Sequence, residues 1–314
     1  MDRTIKILAG VLTLQVIGAV GLMFSSDAFD RAAESPRFID VDASLIDEIV
    51  VSAPDKDSVI LRRVDESWIL PEHKNLPVDE DKRSKAMERL VNSKAAWPVA
   101  TSTSAAERFE VTQDNHQRRV VLRSEDSDLV EFYLGTSPGF RQVHARRAGD
   151  DDIFAIDFNN YELPTGADDW LDKKLLQPSG EITAIETRAF KLTKQDDKWS
   201  LEALSPDTET DESKADSLAS ALKSLRVTGA AADEASAGVE GEVPTFSYAV
   251  ETDAGSYSYA FYEGEDEYLV KGSSHEGYFR VTKYTGDRLK IDREELVKDS
   301  EEIAGNEGDE NTSG

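Results

Sequence analysis

The sequence predicts an α+β protein: an N-terminal transmembrane helix followed by two tandem, mostly antiparallel sheet-plus-helix repeats. Three observations predict it. Residues Ile5 to Phe24, IKILAGVLTLQVIGAVGLMF, form an almost wholly apolar run of 20 residues. Past Arg31 the chain reads as short alternating runs broken by polar turns, the pattern of a β-meander. Landmarks also recur at nearly one offset: Trp68 to Trp199 is 131 positions, Leu90 to Leu222 is 132, and Phe132 to Phe261 is 129.

The apolar run comes first. Twenty residues at helical rise span about 30 Å, the thickness of a hydrocarbon core. Arg3 and Lys6 stand at its start, and Asp27, Asp30 and Glu34 follow it. The positive-inside rule then puts the N-terminus in the cytoplasm and the main body outside, as a single-pass membrane protein. A cleaved signal peptide, with Ser26-Asp27-Ala28 as its small-x-small site, is the competing reading, and the length of the run favours the anchor. Residues 1–26 are therefore assigned to a membrane anchor.

Residues 27–176 form the first expected repeat. IDEIVV (Ile46–Val51), SVILRRV (Ser58–Val64) and the stretch at Trp68–Leu70 read as strands, and Pro77 to about Lys94 as a helix with Met87, Leu90 and Val91 on one face. Strand-like runs resume at Arg118–Arg123, Leu129–Leu134, Gln142–Arg147 and Ile153–Ile156, before a helical piece over Trp170–Leu176. In residues 177–296 the order repeats: ITAIE (Ile182–Glu186), FKLT (Phe190–Thr193), DDKWSL (Asp196–Leu201), then a helix over Asp211–Leu225 and four more strand-like runs. The segment Gly229–Val243 reads as a flexible loop, and residues 297–314 as an acidic, disordered tail.

DESWIL (Asp65–Leu70) poses the main functional question. Two acids beside a tryptophan suit the rim of an acid/base site; they equally suit a hairpin turn leading to a buried Trp. The echo in DDKWSL keeps the Trp and shifts the acids, so Trp68 and Trp199 are assigned as structural core anchors.

The 63 acids against 36 bases, a net charge of −27, exclude nucleic acid as an electrostatic partner. The absence of cysteine excludes disulfides, thiolate metal sites and a cysteine nucleophile. His73, His116, His144 and His275 show no metal-ligand spacing, and no nucleophile elbow or phosphate-binding loop occurs. No cofactor or catalytic residue is assigned. One basic patch stands out in this acidic chain, FRQVHARR (Phe140–Arg147). Arg141, His144, Arg146 and Arg147 suit an anionic ligand or acidic partner, while pairing with nearby Asp and Glu is the plainer reading. On a strand, His144 and Arg146 share one face and Arg147 takes the other.

The run LGTSPGFRQVHAR (Leu134–Arg146), the stretch DDWLDKKLL (Asp168–Leu176) and the repeated strand-turn-Trp pattern resemble the DUF4340 family, a domain of unknown function. The resemblance implies a bacterial protein with one membrane segment and an exported β-rich body. It also implies an accessory role beside ABC-transporter components of the gliding-motility type, and carries over no catalytic residues. The expected function is thus a non-enzymatic interaction protein of an ABC-type system. The alternatives are a module binding an envelope glycan or anion, with Tyr257, Tyr259, Tyr262 and Tyr268 as aromatic contacts, and a carboxylate-dependent hydrolase. The Gly135–Gly139 loop has no counterpart in the second repeat, where Phe261-Tyr262-Glu263-Gly264 stands in its place.

Overall fold

The computed structural model describes residues 36–125 and 127–299. The Ile5–Phe24 run therefore lies outside the described residues, and among those described no helix is long and apolar enough to cross a membrane.

The fold is mixed α+β, with two large antiparallel sheets and few helices. The first sheet takes β1 (Glu48–Ser52), β2 (Val59–Val64), β3 (Ser67–Leu70), β4 (Leu76–Pro77), β5 (Arg118–Ser124), β6 (Ser127–Leu134), β7 (Val143–Arg147) and β8 (Ile153–Ile156), in the order β4-β3-β2-β1-β5-β6-β7-β8. The second takes β9 (Ile182–Glu186), β10 (Lys191–Gln195), β11 (Lys198–Leu201), β13 (Gly229–Ala230), β14 (Phe246–Thr252), β15 (Gly255–Glu263), β16 (Glu267–Gly272) and β17 (Phe279–Thr282), in the order β11-β10-β9-β14-β15-β16-β17-β13. Strands β3-β2-β1-β5-β6-β7-β8 and β11-β10-β9-β14-β15-β16-β17 thus follow one order. A helix interrupts each series at the same point: α1 (Glu80–Asn92) before β5 and α4 (Glu212–Lys223) before β14.

The packing explains both helices. Ala86, Met87, Leu90 and Val91 are the buried residues of α1, and Ala215, Leu218, Ala219, Ala221 and Leu222 those of α4, each set at helical spacing. Asp211 caps α4 by accepting from the Lys214 amide at 3.1 Å. The two tryptophans are buried, Trp68 at 7% and Trp199 at 3% exposure. Arg83 of α1 lies 4.6 Å from the Trp68 ring, and Trp199 Nε1 donates to Asp216 Oδ1 of α4 at 2.9 Å. Asp65, Asp196 and Asp197 adopt positive φ of 54°, 49° and 63°, as residues of tight hairpin turns do. The acids of DESWIL belong to the chain reversal.

Packing divides the chain into two compact units. Among the described residues, one holds 36–46, 53–55 and 85–163; the other holds 47–52, 56–84 and 164–299. In the first, Phe38 meets Phe132 and Phe154 edge-on at 5.6 and 6.1 Å. In the second, Phe246 stacks on Phe261 at 4.6 Å and meets Tyr268 at 5.9 Å.

Three expectations need correction. The helical piece over Trp170–Leu176 is instead α3 at Ala167–Trp170, because Leu171 leaves the helix to bridge Val78. The segment Gly229–Val243 is organised: β13 pairs with β17, and α5 covers Asp233–Val239. Residues Val297–Asp299, assigned to the tail, form β18, which pairs with β12 (Thr208–Thr210) once the buried Leu296 has fixed the chain. The rest of that tail lies outside the described residues.

Candidate functional site

The basic patch resolves into separate contacts along β7. His144 is buried, stacks on Phe109 at 3.9 Å and 13°, and has Nδ1 2.9 Å from Thr136 Oγ1. Burial pushes its pKa below the usual histidine value, which favours the neutral ring. Arg146 shares that face, donating to Val111 O at 2.6 Å and Asp150 O at 2.9 Å. Arg147 points to the opposite face. Its guanidinium donates to Phe38 O at 2.8 Å and Asp150 Oδ2 at 2.6 Å, and lies 5.7 and 5.5 Å from the Phe38 and Phe154 rings. Only Arg141 is exposed, at the hairpin tip with φ +58° beside Phe140. The strand-face assignment from alternation holds, and the structure gathers no four-residue cationic site.

The two stretches that carry the family resemblance are framework. A Cβ on Gly135 would sit 1.9 Å from Phe109 O, so only glycine lets β6 end against that loop. Thr136 N donates to Phe109 O and Asn160 Nδ2 to Gly135 O, both at 2.9 Å. Ser137 Oγ lies 2.7 Å from Gly139 O and 2.6 Å from Gln142 O, closing the hairpin. In DDWLDKKLL, Asp168 pairs with Arg280 and accepts from the Ala230 amide at 3.0 Å. Gly229 fits there because a Cβ would fall 2.3 Å from both the Arg280 and Asp168 side chains. Trp170 donates to Pro164 O, and Leu176 O accepts from the Tyr259 hydroxyl, each at 2.8 Å.

The candidate site is a groove of about 770 Å³ on the outer face of the second sheet. Its floor is made of short side chains that face each other in register: Ser247 opposite Ala260, and Ala249 opposite Ser258. They sit at alternate positions of β14 and β15, while Tyr248, Val250, Tyr259 and Phe261 between them point into the core. Arg188 and Lys271 stand on the rim. Arg188 is exposed and has no ion-pair or hydrogen-bond partner among the described residues; Lys271 lies over the Tyr278 ring at 5.3 Å. Glu186, the carboxylate of this lining, faces Lys191 at 3.5 Å. A hollow of about 210 Å³ shares Thr187, Arg188, Ser247 and Tyr248 with the groove and reaches Ile291 and Asp292.

This lining offers hydroxyls, backbone groups and two cations, a chemistry suited to holding a polar or anionic ligand. It has no histidine and no converging pair of carboxylates, so it offers no acid/base partner to Ser247 or Ser258. In the first sheet the matching positions are filled. At the offset that relates Phe132 to Phe261, Glu131 matches Ala260, and Glu131 is bound by Arg119 at 2.8 Å and the Tyr133 hydroxyl at 2.7 Å. These bonds hold the Glu131 carboxyl below its ordinary pKa. Helix α2 (Thr103–Arg108) then covers Tyr133 and Ile153 through Ala105 and Ala106.

Of the tyrosines expected as aromatic contacts, Tyr259 is in the groove's lining, though buried. Tyr268 is a core residue, the Tyr257 hydroxyl accepts from Ser179 N at 3.1 Å, and Tyr262 pairs with Tyr278 at 5.7 Å. The groove's signal in the sequence was the run of Ser and Ala at outward positions of FSYAVET and GSYSYAFYE, which large-residue searches pass over. Among the described residues no three His, Cys, Asp or Glu side chains gather as a metal site.

No curated protein and no solved structure matches the chain. One family model, described as a domain of unknown function, matches residues 68–241, more than half of the chain. That span takes in both core tryptophans, the Gly135 hairpin and the Asp168 junction, and on it the chain belongs to the DUF4340 family.

Proposed function

We propose that the protein is a non-enzymatic, single-pass inner-membrane protein whose extracytoplasmic body serves as an accessory subunit of an ABC-type transporter. The observation that carries this reading is the Ile5–Phe24 run, with basic residues before it and acids after it. The family resemblance supplies the transporter context. The framework role of its signature residues agrees with a protein whose family likeness lies in shape. Affinity purification of the full chain from native membranes is expected to recover an ATPase and a permease; repeated recovery of the chain alone would overturn the reading.

The groove favours a second reading, an envelope ligand-binding module that takes an anionic glycan between Arg188 and Lys271. Ligand that binds only the folded state raises the melting temperature. A thermal-shift screen of anionic oligosaccharides should therefore give an upward shift that R188A/K271A loses. A hydrolytic role has less support, since the groove's carboxylate already faces a lysine.

A further inference from the structure

The groove of the second sheet does not end at its polar floor. It adjoins the hollow of about 210 Å³, and Arg188 and Ser247 line both. The two cavities differ in chemistry. Ser and Ala floor the groove, with Lys271 on its rim, whereas Phe190, Pro244, Phe246 and Ile291 line the hollow. Strand alternation accounts for the change. Ser247 faces outward on β14, while its neighbour Phe246 turns inward and stacks on Phe261 at 4.6 Å. One step along the chain thus leads from a polar face to an apolar end. Val243, next before Pro244, adds an apolar side chain that is 73% exposed.

Arg188 is held at the junction by the turn from β9 to β10. Thr187 Oγ1 accepts from the Ala189 and Phe190 amides, each at 3.0 Å, and Thr187 N donates to Phe190 O at 2.9 Å. The turn is fixed without using the Arg188 guanidinium. The carboxylates divide in the opposite sense. Glu186 in the groove faces Lys191, and Asp292 lines the hollow but not the groove. An anion is therefore favoured between Arg188 and Lys271 and disfavoured beside Asp292, where ring and alkyl surface favours an apolar group.

The geometry points to a joint site for an anionic amphiphile, its charged head between Arg188 and Lys271 and its apolar tail in the hollow. The sizes agree. An apolar cavity of about 150 Å³ holds benzene, so about 210 Å³ takes a tail of roughly eight carbons. Phosphate, sulfate and carboxylate heads share this chemistry, whether the molecule arrives free or from a bilayer. The inference deepens the groove reading by naming its ligand class, and rests on it.

Photolabelling tests it. The full chain in phosphatidylcholine nanodiscs receives octyl phosphate with a diazirine in its tail or, in a second arm, a diazirine-bearing phosphatidic acid built into the nanodisc. Labelled peptides are then mapped by mass spectrometry. The expected label falls on the peptides holding Phe190, Pro244 and Ile291, and the arm that gives it identifies a free amphiphile or a membrane lipid. R188A/K271A should lower it about tenfold, the loss of a charge-assisted contact, and A189F should remove it by filling the hollow. All three positions are exposed, so the variants keep the fold. Label indifferent to these variants, or equal label from octyl glucoside carrying the same diazirine, would overturn the inference. Anionic oligosaccharides that raise the melting temperature while these peptides stay unlabelled would overturn the amphiphile and leave the groove reading standing. Neither shift nor label would overturn both.

Discussion

Trp68 is held from above by Arg83 and from within by the strand alternation that also buries Leu70. Truncating it to alanine empties a site that α1 cannot fill, so W68A should lower stability by about 3–5 kcal/mol, read as a shift in the urea midpoint. D65N/E66Q should move that midpoint by no more than about 0.5 kcal/mol, since Asn tolerates the positive φ at residue 65. The two acids and the Trp thus separate in one experiment, and the turn-plus-anchor reading fails if their effects are reversed. Gly135 gives a second residue-scale test. G135A drives a Cβ into Phe109 O, and should expose His144, seen as loss of its protected ring resonance in NMR. The tryptophans were legible because a large apolar residue recurs at one offset in an alternating run. Gly135 was legible only as part of a family likeness, because nothing local in LGTSPG says that a carbonyl approaches from a loop 26 residues earlier.

Among the elements, α1 and α4 could be read from the sequence because their apolar residues keep helical spacing over three turns. Strands β13 and β18 could not. Each is short and draws its order from a partner 51 or 91 residues away, Gly229 with Arg280 and Thr208 with Asp299 along the chain, roughly beyond the reach of any window of 11–18 residues. The composition around β18 is that of an acidic tail, and Val297 alone gives no period. Asp211 N donates to Leu296 O, so by alternation it is the Glu209 amide that faces Lys298; a chain ending at Leu296 should therefore lose hydrogen-exchange protection at Glu209, while one ending at Asp299 should keep it. Equal protection in the two chains would show that β12 does not depend on the ribbon. The groove failed to register for a related reason. A binding floor built from small residues has no periodic apolar signal of its own, and becomes visible only when four strands are set side by side.

For the molecule as a whole, burial lowers the pKa of His144 and also of His275. As pH falls below the ordinary histidine value near 6.5, the unfolded chain takes up protons before the folded one does. Stability contributed by the two neutral rings is therefore present above that value and lost as pH falls toward their folded pKa values. Urea unfolding should show stability dropping as pH falls below about 6.5, a slope that H144N/H275N flattens. The acid limb is separate. Lys283 and Lys290 hold Glu263 down to about 2, so its contribution is full above the ordinary glutamate value of 4.5, below the histidine window, and is lost progressively as pH falls from there to about 2.

The two sheets occupy separate stretches of the chain, residues 48–156 and 182–282, despite sharing seven strands in one order. That matters during synthesis. Neighbouring modules of like topology are prone to exchanging strands while both are open. Here 25 residues separate the last strand of the first sheet from the first strand of the second, about 1–5 s of translation at about 5–20 residues per second. Antiparallel meanders close in milliseconds to seconds. The first sheet can thus finish before the second one's strands exist, and timing keeps apart two meanders that topology alone would let mix.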